Sequence, residues 1–531
     1  MRNSVVFLIA AAACAQGPTR SRIATGLDSI DPVRLRADLT FLASDALEGR
    51  MSLQRGSEVA IQWIASEFAK SGLKPLVGDS YLQPVPLIEY TIDREKTSLT
   101  VQAGGKSETY RGQDAIGNFA NEAAVSGQVV FAGYGITALG LGYDDYAGID
   151  AKGKIVLIFN HEPQEFDDTS IFNGKANTRY TNATYKALNA ARHGAIAVLT
   201  MPDPKHPPQE RGRQVTAATA RIAPEALVEG GAGIPTFTVS AKVGAELFEA
   251  ARKIPAEVQT AIEAKPAPAS FAIPGASVEL HVAQSERRQA DSYNVVGLLE
   301  GSDLALRAET IIYSGHFDHN GVGPQGVFHG ADDNGSGTVG VVELARAFSM
   351  NPVKPRRSIL FIVFAAEERG LLGAYYYVSH PLRPLATTRA QINFDMIGRN
   401  EAADPRVRET EISPDTSNEL GLIGTHYSPV YRAVVERANE LVGLKLNYKW
   451  DRDAFNQVLF RSDQYPFLQR DIPAIWWFTG FHPDYHQITD TADKINYTKM
   501  TKILKLAYVA GFEFADSSNL PKIVGKAIAG Q

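Results

Sequence analysis

Four short apolar runs in the C-terminal half of the chain each lead into acidic residues or histidines. The runs are residues 310–313, 358–366, 390–394 and 473–478, and helical stretches separate them. A run as continuous as 358–366 is typical of a strand that is buried on both faces of a parallel sheet. The alternation of such strands with amphipathic helices predicts an α/β sheet.

The side chains that follow these runs are the candidate chemistry of the chain. Because ligands bind beyond the carboxyl ends of strands in α/β sheets, we expect these side chains to gather at one edge. They are His316, Asp332, Glu368, Asp395 and His486. Two imidazoles and three carboxylates without sulfur suit Zn, Mn or Co better than Ca. With Asp333 and Glu367, the five carboxylates cannot all stay ionised without a cation, and a dinuclear metal site accommodates them.

Two further features of these motifs suggest a division of roles. Neighbouring side chains on an extended backbone point in opposite directions, so one of Glu367 and Glu368 can bind metal while the other faces the cavity as a base. Asp318 lies two residues beyond His316. We predict that it accepts the other ring N–H of that histidine and so fixes its tautomer.

Composition excludes several classes of protein. The single cysteine, Cys14, excludes an intrachain disulfide, and it also excludes thiolate zinc sites and a Cys–His nucleophile in the body of the chain. A net charge of -6 provides no basic field for nucleic acid, so no nucleic-acid partner is expected. Beyond the N-terminus no apolar run is long enough to span a membrane. The 44% hydrophobic content rules out a wholly disordered chain.

The N-terminus has the pattern of an export signal. Arg2 precedes an apolar stretch, residues 4–13, that is too short to cross a bilayer. Ala13-Cys14-Ala15 fits a cleavage site, which makes residues 1–15 a signal peptide. Residues 11–14 also resemble a bacterial lipobox, which would make Cys14 a lipid anchor. We therefore expect an exported protein, periplasmic or extracellular, and both forms of the N-terminus remain open.

The pattern of the remaining sequence predicts one domain with a second domain inserted into it. Two helices come first, one capped by Asp31 and one with Ile61, Ile64 and Phe68 on a single face. Short apolar strands follow from about residue 113, and a stiff Pro/Ala-rich stretch at 264–269 is a plausible boundary. The predicted division is 16–112 for the first part of the main domain, 113–265 for a β-rich insert and 266–531 for the rest of the main domain.

Five ordered motifs resemble those of a known family. They are Ser314-Gly-His-Phe-Asp-His319, Gly330-Ala-Asp-Asp-Asn-Gly-Ser-Gly337, Ala366-Glu-Glu-Arg-Gly-Leu-Leu-Gly373, Asn393-Phe-Asp-Met-Ile-Gly398 and Asp484-Tyr-His486. Together they resemble the secreted di-zinc aminopeptidases, a group that includes glutamate carboxypeptidase and the catalytically inactive transferrin receptor. The insert resembles the protease-associated domain found in these enzymes, and residues 41–50 resemble the family's opening. The resemblance implies a zinc exopeptidase fold, a mixed and mostly parallel sheet with helices on both faces.

The resemblance also implies a role for each site residue. Asp332 would bridge two Zn²⁺ ions, with Mn²⁺ or Co²⁺ as alternatives. His316 and Asp395 would complete one metal site, and Glu368 and His486 the other. Glu367 would be the general base toward a metal-activated water, Asp318 would support a ligand, and the Asp332–Asp333 peptide bond would be cis. Asp333 is predicted to hold a neighbouring loop, with binding of the substrate as the alternative. His319 and His329 match no ligand position and are predicted to be loop residues or supporting groups.

Three functions remain open at this point. The leading hypothesis is an aminopeptidase that removes N-terminal residues from peptides. A carboxypeptidase of the glutamate carboxypeptidase type is the alternative, and it would need an arginine in the pocket, for which Arg369, Arg399 and Arg461 are available. A non-catalytic protein that binds a partner through the insert is the third. The sequence does not predict the oligomeric state.

Overall fold

The structure is a computed structural model, and it describes residues 20–205, 225–228, 231–407, 411–453 and 456–524. The predicted signal peptide and Cys14 lie outside these ranges, so export and lipid anchoring stay predictions. Within the described ranges, no helix has both the length and the apolar character needed to cross a membrane.

The elements are numbered in chain order. The helices are α1 (Arg20–Ser29), α2 (Pro32–Leu42), α3 (Arg55–Lys70), α4 (Ala183–Arg192), α5 (Ala241–Ala250), α6 (Pro255–Ala264), α7 (Gly337–Met350), α8 (Leu372–Ser379), α9 (Pro429–Asn439), α10 (Tyr465–Leu468) and α11 (Tyr497–Asp516). The strands of the first half are β1 (Lys74–Pro75), β2 (Leu82–Ile92), β3 (Ser98–Ala103), β4 (Lys106–Tyr110), β5 (Ala115–Asn118), β6 (Ala123–Phe131), β7 (Thr137–Ala138), β8 (Tyr143–Asp144), β9 (Ile155–Phe159), β10 (Ala197–Met201), β11 (Glu225–Leu227) and β12 (Thr236–Val239). Those of the second half are β13 (Phe271–Val282), β14 (Gln284–Leu299), β15 (Thr310–His316), β16 (Val322–Gly323), β17 (Gly326–Val327), β18 (Ser358–Phe364), β19 (Thr388–Phe394), β20 (Glu419–Ile423), β21 (Lys445–Asn447) and β22 (Ala474–Phe478).

The larger sheet contains all four apolar runs. Its ten strands follow the order β11-β2-β14-β18-β15-β19-β22-β20-β21, with β1 paired to β14. At its centre β18, β15, β19 and β22 pair in parallel. Antiparallel neighbours, β14 on one side and β20 on the other, flank this centre. The predicted mixed α/β fold is confirmed, with parallel pairing concentrated where the chemistry lies.

Strand β18 shows why its sequence is continuously apolar. Phe361 belongs to a core shared with residues of α2, α3, α7 and α11 on one face of the sheet. Its neighbour Ile362 belongs to a second core, shared with residues of α8 and α10 on the other face. Since successive side chains of a strand point to opposite faces, a strand between two helical layers needs apolar residues at every position.

The two predicted helices, α2 and α3, are confirmed close to their predicted positions, but α1, which was not predicted, precedes both. Helix α2 begins at Pro32, and the Asp31 side chain accepts a hydrogen bond of 2.9 Å from the backbone N–H of Val33. Helix α3 buries Ile61 and Phe68 in the core beneath the sheet. Both helices therefore belong to the larger domain, although well over 200 residues of chain separate them from β15, the first of its central strands.

The smaller domain extends beyond the predicted insert of residues 113–265. Its eight strands follow the order β4-β3-β13-β6-β9-β10-β12-β5, so β3 and β4 precede the predicted insert and β13 follows it. Strand β13 pairs with both β3 and β6, which binds the two ends of the insert into one sheet. The Pro/Ala-rich stretch is a loop between α6 and β13. The chain instead crosses between domains next to Asp93 and Ala283, whose backbones are hydrogen-bonded.

Candidate metal centre

The parallel strands bring the predicted side chains to one edge of the sheet. His316 is the last residue of β15, and Asp395 directly follows β19. The Nε2 atom of His316 lies 3.6 Å from carboxylate oxygens of Asp333, Glu367 and Asp395. The ligand atoms of His316, Asp333 and Asp395 all lie within 4.8 Å of one another, and all three residues are buried.

A second group of ligand atoms adjoins the first. Single atoms of His319, Asp333 and Glu368 also lie within 4.8 Å of one another. The Nε2 atom of His486 is 2.9 Å from Asp333 Oδ2 and 3.2 Å from Glu368 Oε2. Asp333 is common to both groups, and its Oδ1 faces His316 while its Oδ2 faces His486.

Asp332 does not take the shared position that we predicted for it. Its Oδ1 accepts a 2.7 Å hydrogen bond from the backbone N–H of Gly398, and its Oδ2 lies 3.2 Å from Nε2 of the buried His482. Adjacent side chains on extended backbone diverge, and Asp333 has extended dihedral angles of φ −105° and ψ 96°. The correction is a shift of one residue, with Asp333 in place of Asp332. The cis peptide bond shifts with it and joins Asp333 to Asn334, so its predicted position was wrong.

Contrary to our prediction, the Asp318 carboxylate does not accept the ring N–H of His316, and it supports the cluster through other hydrogen bonds. Its Oδ1 is 3.7 Å from Nδ1 of His316, which is too long for a hydrogen bond. The ring N–H at Nδ1 donates instead to the backbone carbonyl of Asp318, at 3.2 Å, and this leaves Nε2 free to face the carboxylates. The Asp318 carboxylate accepts hydrogen bonds from the backbone N–H groups of Glu367 and Glu368, at 3.0 and 3.2 Å.

Residues 294–510 match the family model of Peptidase family M28, and residues 125–247 match the PA domain. The chain contains a family M28 peptidase domain with an inserted PA domain. The resemblance seen in the five sequence motifs is thereby confirmed.

The relatives that match this M28 domain include several aminopeptidases. Aminopeptidase YwaD of Bacillus subtilis is 26% identical over 252 residues, which cover 44% of this chain and 47% of that protein. A probable leucine aminopeptidase 2 of Aspergillus oryzae is 37% identical over 270 residues, which cover 46% of this chain and 49% of that protein. The chain thus spans about half the length of the curated relatives it matches. Among solved structures, an aminopeptidase from Aneurinibacillus sp. strain AM-1 aligns with 94% of this chain and 97% of its own, at 19% identity and a TM-score of 0.49.

The donor set of the M28 domain fits divalent metal ions. Nε2 of His316 is buried without a hydrogen-bond partner, although three carboxylates lie 3.6 Å from it. Leaving such an atom unpaired is costly, and a cation bound between it and these carboxylates would remove that cost. Imidazole nitrogens with carboxylate oxygens are ligands suited to Zn, Mn or Co. The residues present therefore fit the metals that the family implies.

The pKa values of the two adjacent glutamates are shifted in opposite directions. Burial raises the pKa of Glu367 well above its ordinary value, and the charge of Asp395 raises it further. Burial also disfavours the ionised form of Glu368, yet the imidazoles of His486 and His319 hold the pKa of Glu368 well below its ordinary value. Two neighbouring carboxyl groups with opposite shifts are a common sign of different chemical roles. Glu368 has the character of an anionic ligand, and Glu367 that of a group that can carry a proton.

Sequence analysis missed one side chain that supports this centre, Ser462. His319, predicted to be a loop residue or a supporting group, lies with its Nδ1 2.7 Å from Glu368 Oε1. Ser462 donates a 2.6 Å hydrogen bond to Asp395, and nothing in its sequence context indicated this. His329 lies apart, as predicted, with Nε2 2.8 Å from Asp45.

A cavity of about 250 Å³ adjoins the cluster. Its lining includes Met396, Phe460, Arg461, Trp476, Phe481 and Tyr485. The Arg461 guanidinium lies 5.2 Å from the Phe481 ring centroid and donates a 3.1 Å hydrogen bond to the Tyr485 hydroxyl. Arg399 instead pairs with Asp484 at 2.8 Å. Of the three arginines considered from sequence, Arg461 is the one that lines this cavity.

The one-residue correction can be tested by metal content. Asp333→Asn should lose most bound zinc, because an amide nitrogen replaces one oxygen of the carboxylate that faces both groups. Asp332→Asn, the matched control, keeps an oxygen for the Gly398 N–H and should retain zinc. Elemental analysis of both variants after dialysis against zinc measures the difference. Loss of zinc from Asp332→Asn with retention by Asp333→Asn would restore the original assignment.

Proposed function

We propose that the protein is a metal-dependent aminopeptidase that removes N-terminal residues from peptides. The observation that carries this proposal is the pair of adjoining ligand groups around Asp333, with Glu367 beside them. The relatives described as aminopeptidases support the choice of reaction. Two divalent cations, in the first instance Zn²⁺, would be held by His316, Asp333 and Asp395 on one side and by Asp333, Glu368 and His486 on the other. When bound, such ions supply an activated water and polarise the carbonyl that it attacks.

Glu367 is the proposed general base. Its side chain is 3.6 Å from His316 at the face of the cluster, and it also lines the adjoining cavity. At its carboxylate it would take a proton from water and later deliver that proton to the departing amine. The Asp318 carboxylate accepts a 3.0 Å hydrogen bond from the backbone N–H of Glu367 and so keeps the Glu367 side chain directed at the cavity.

The cavity would select an apolar first residue and the negative cluster would select a free amine. Met396, Phe460 and Trp476 provide apolar surface directly beside the carboxylates. A protonated or metal-bound α-amino group at the cluster would place the first peptide bond next to Glu367. Cleavage would then be confined to the end of the peptide, which matches the leucine aminopeptidase description of some relatives.

One observation favours a second candidate. Arg461 lines the same cavity, and a guanidinium in such a position can bind a carboxylate. If Arg461 received the substrate's C-terminal carboxylate, the enzyme would be a carboxypeptidase. The aminopeptidase remains the proposal because Arg461 is the one arginine among the described lining residues, against four carboxylates that can receive a free amine, and because the described relatives are named as aminopeptidases.

Replacement of the proposed base separates chemistry from metal binding. Glu367→Gln should lower kcat by about 10²–10⁴-fold, because an amide cannot accept the proton, while metal content stays that of the wild type. Glu368→Gln serves as the contrast, since it should lose metal as well as activity. Steady-state kinetics with elemental analysis measure both. Glu367→Gln with near wild-type turnover would refute the assignment.

Blocked substrates separate the two exopeptidase types. The wild-type enzyme should hydrolyse leucyl-p-nitroanilide and fail to cleave its N-acetylated form, because acetylation removes the free amine. Release of p-nitroaniline, monitored by absorbance, measures both reactions. Cleavage of an N-acetylated dipeptide with a free C-terminus, without cleavage of the anilides, would support the carboxypeptidase and contradict our proposal.

A further inference from the structure

Arg50 is a buried cation whose position sets it apart from the surface arginines. It ends the short helical turn Asp45–Arg50 between α2 and α3, only 1% of it is exposed, and its φ of 48° is left-handed. It also lies far upstream of residues 294–510, which match the peptidase family model. Neither its burial nor its backbone conformation is expected of an arginine that serves only solubility.

The guanidinium of Arg50 donates to four backbone carbonyls. Nε donates to Phe317 at 2.7 Å, and Nη2 donates to Gly330 at 2.8 Å. Nη1 donates to both Leu42, at 2.5 Å, and His329, at 2.7 Å. Four bonds from a planar group with five N–H donors fix the relative positions of three segments of chain.

Two of these three segments carry the metal cluster. Phe317 lies between His316 and Asp318, and Gly330 lies three residues before Asp333. The third segment is the end of α2, which is packed into the main core. Arg50 therefore connects the two loops that meet at the cluster, and it connects both of them to a helix outside the matched region.

The backbone around Arg50 adds to this connection. The carbonyl of Arg50 accepts the N–H of His319 at 3.2 Å, and that of Gly49 accepts the N–H of Gly321 at 3.0 Å. Gly49 has a φ of 65°, and a Cβ atom there would collide with the carbonyls of Gly321 and Phe328. The close approach of the two backbones thus requires glycine at this position.

The charge of Arg50 also suits the neighbourhood of the cluster. Burial lowers its pKa to about 10, while the carboxylates of Asp490, Asp318 and Asp333 raise it, so the group is charged at neutral pH. Within the described part of the chain its hydrogen bonds go to carbonyls rather than to a carboxylate. Its positive charge is therefore left to act on the nearby acids.

We propose that Arg50 is a positioning residue of the metal centre, which holds the His316 loop and the Asp333 loop in the arrangement that lets both side chains face one metal ion. This inference rests on the proposed function, since it requires a metal centre. Partners that orient metal ligands typically change metal affinity by about 10–100-fold when they are replaced.

The experiment compares Arg50→Met and Arg50→Lys with a matched control, Arg357→Met, in the full chain. Arg357 is also buried, at 4% exposure, and donates to the carbonyls of Ala515 and Ser517 and to the carboxylate of Glu309. It precedes β18, at the edge of the sheet opposite to the cluster. Zinc affinity is measured by competition with a chromophoric chelator, the visible spectrum of the Co²⁺-loaded protein reports ligand geometry, and thermal unfolding reports stability.

We expect Arg50→Met to weaken zinc affinity by about 10–100-fold and to alter the Co²⁺ spectrum. Arg50→Lys should show a smaller loss, because an ammonium keeps the charge but has three donors for four carbonyls. Arg357→Met should lower Tm and leave zinc affinity and spectrum unchanged. This pattern would separate positioning of the centre from general stabilisation.

Three outcomes would overturn the inference. The first is wild-type zinc affinity and spectrum in Arg50→Met. The second is a loss of zinc affinity in Arg357→Met as large as that in Arg50→Met, when the two variants have a similar fall in Tm. If Arg50→Met does not fold, the third outcome decides: Arg50→Lys with the zinc affinity and the Co²⁺ spectrum of the wild type. Failure of the wild-type protein itself to bind zinc would contradict the proposed function instead, so the two failures can be told apart.

Discussion

Mutual repulsion among buried carboxylates is the constraint on which this structure depends. Asp333, Glu367 and Asp395 surround one imidazole at 3.6 Å, and Glu368 lies against two more imidazoles. Burial lowers the pKa of His316, yet the charges of Glu367 and Asp395 overcome this effect and raise its pKa well above the ordinary value. A site with so strong a negative field, in a medium that solvates charge poorly, is suited to cations.

The fold offsets this repulsion with hydrogen bonds that hold several residues of the cluster from outside it. The Asp318 carboxylate binds the backbone of the glutamate pair, Ser462 binds Asp395, and Arg50 binds the loops that carry His316 and Asp333. These contacts come from parts of the chain far apart in sequence. The parallel strands determine which residues meet, and the surrounding hydrogen bonds determine how the side chains are aimed.

The sequence predicted the elements well because their signals are local. The apolar run of β18, the Asp31 cap of α2 and the acidic or imidazole residues beyond β15 and β19 all follow from neighbouring residues. The assignments that failed depend on conformation or on distant pairing. Two adjacent aspartates, Asp332 and Asp333, look equivalent until the backbone aims them apart. The bounds of the insert depend on the pairing of β13 with β3, which the sequence pattern of either strand does not reveal.

Anomalous diffraction at the zinc absorption edge tests the central claim most directly. Crystals of the wild-type protein grown with zinc should give two peaks about 3.5–4 Å apart. One should lie beside His316 and Asp395, the other beside Glu368 and His486, with the Asp333 carboxylate between them. A single peak, or two peaks that do not share Asp333, would contradict the proposed dinuclear centre.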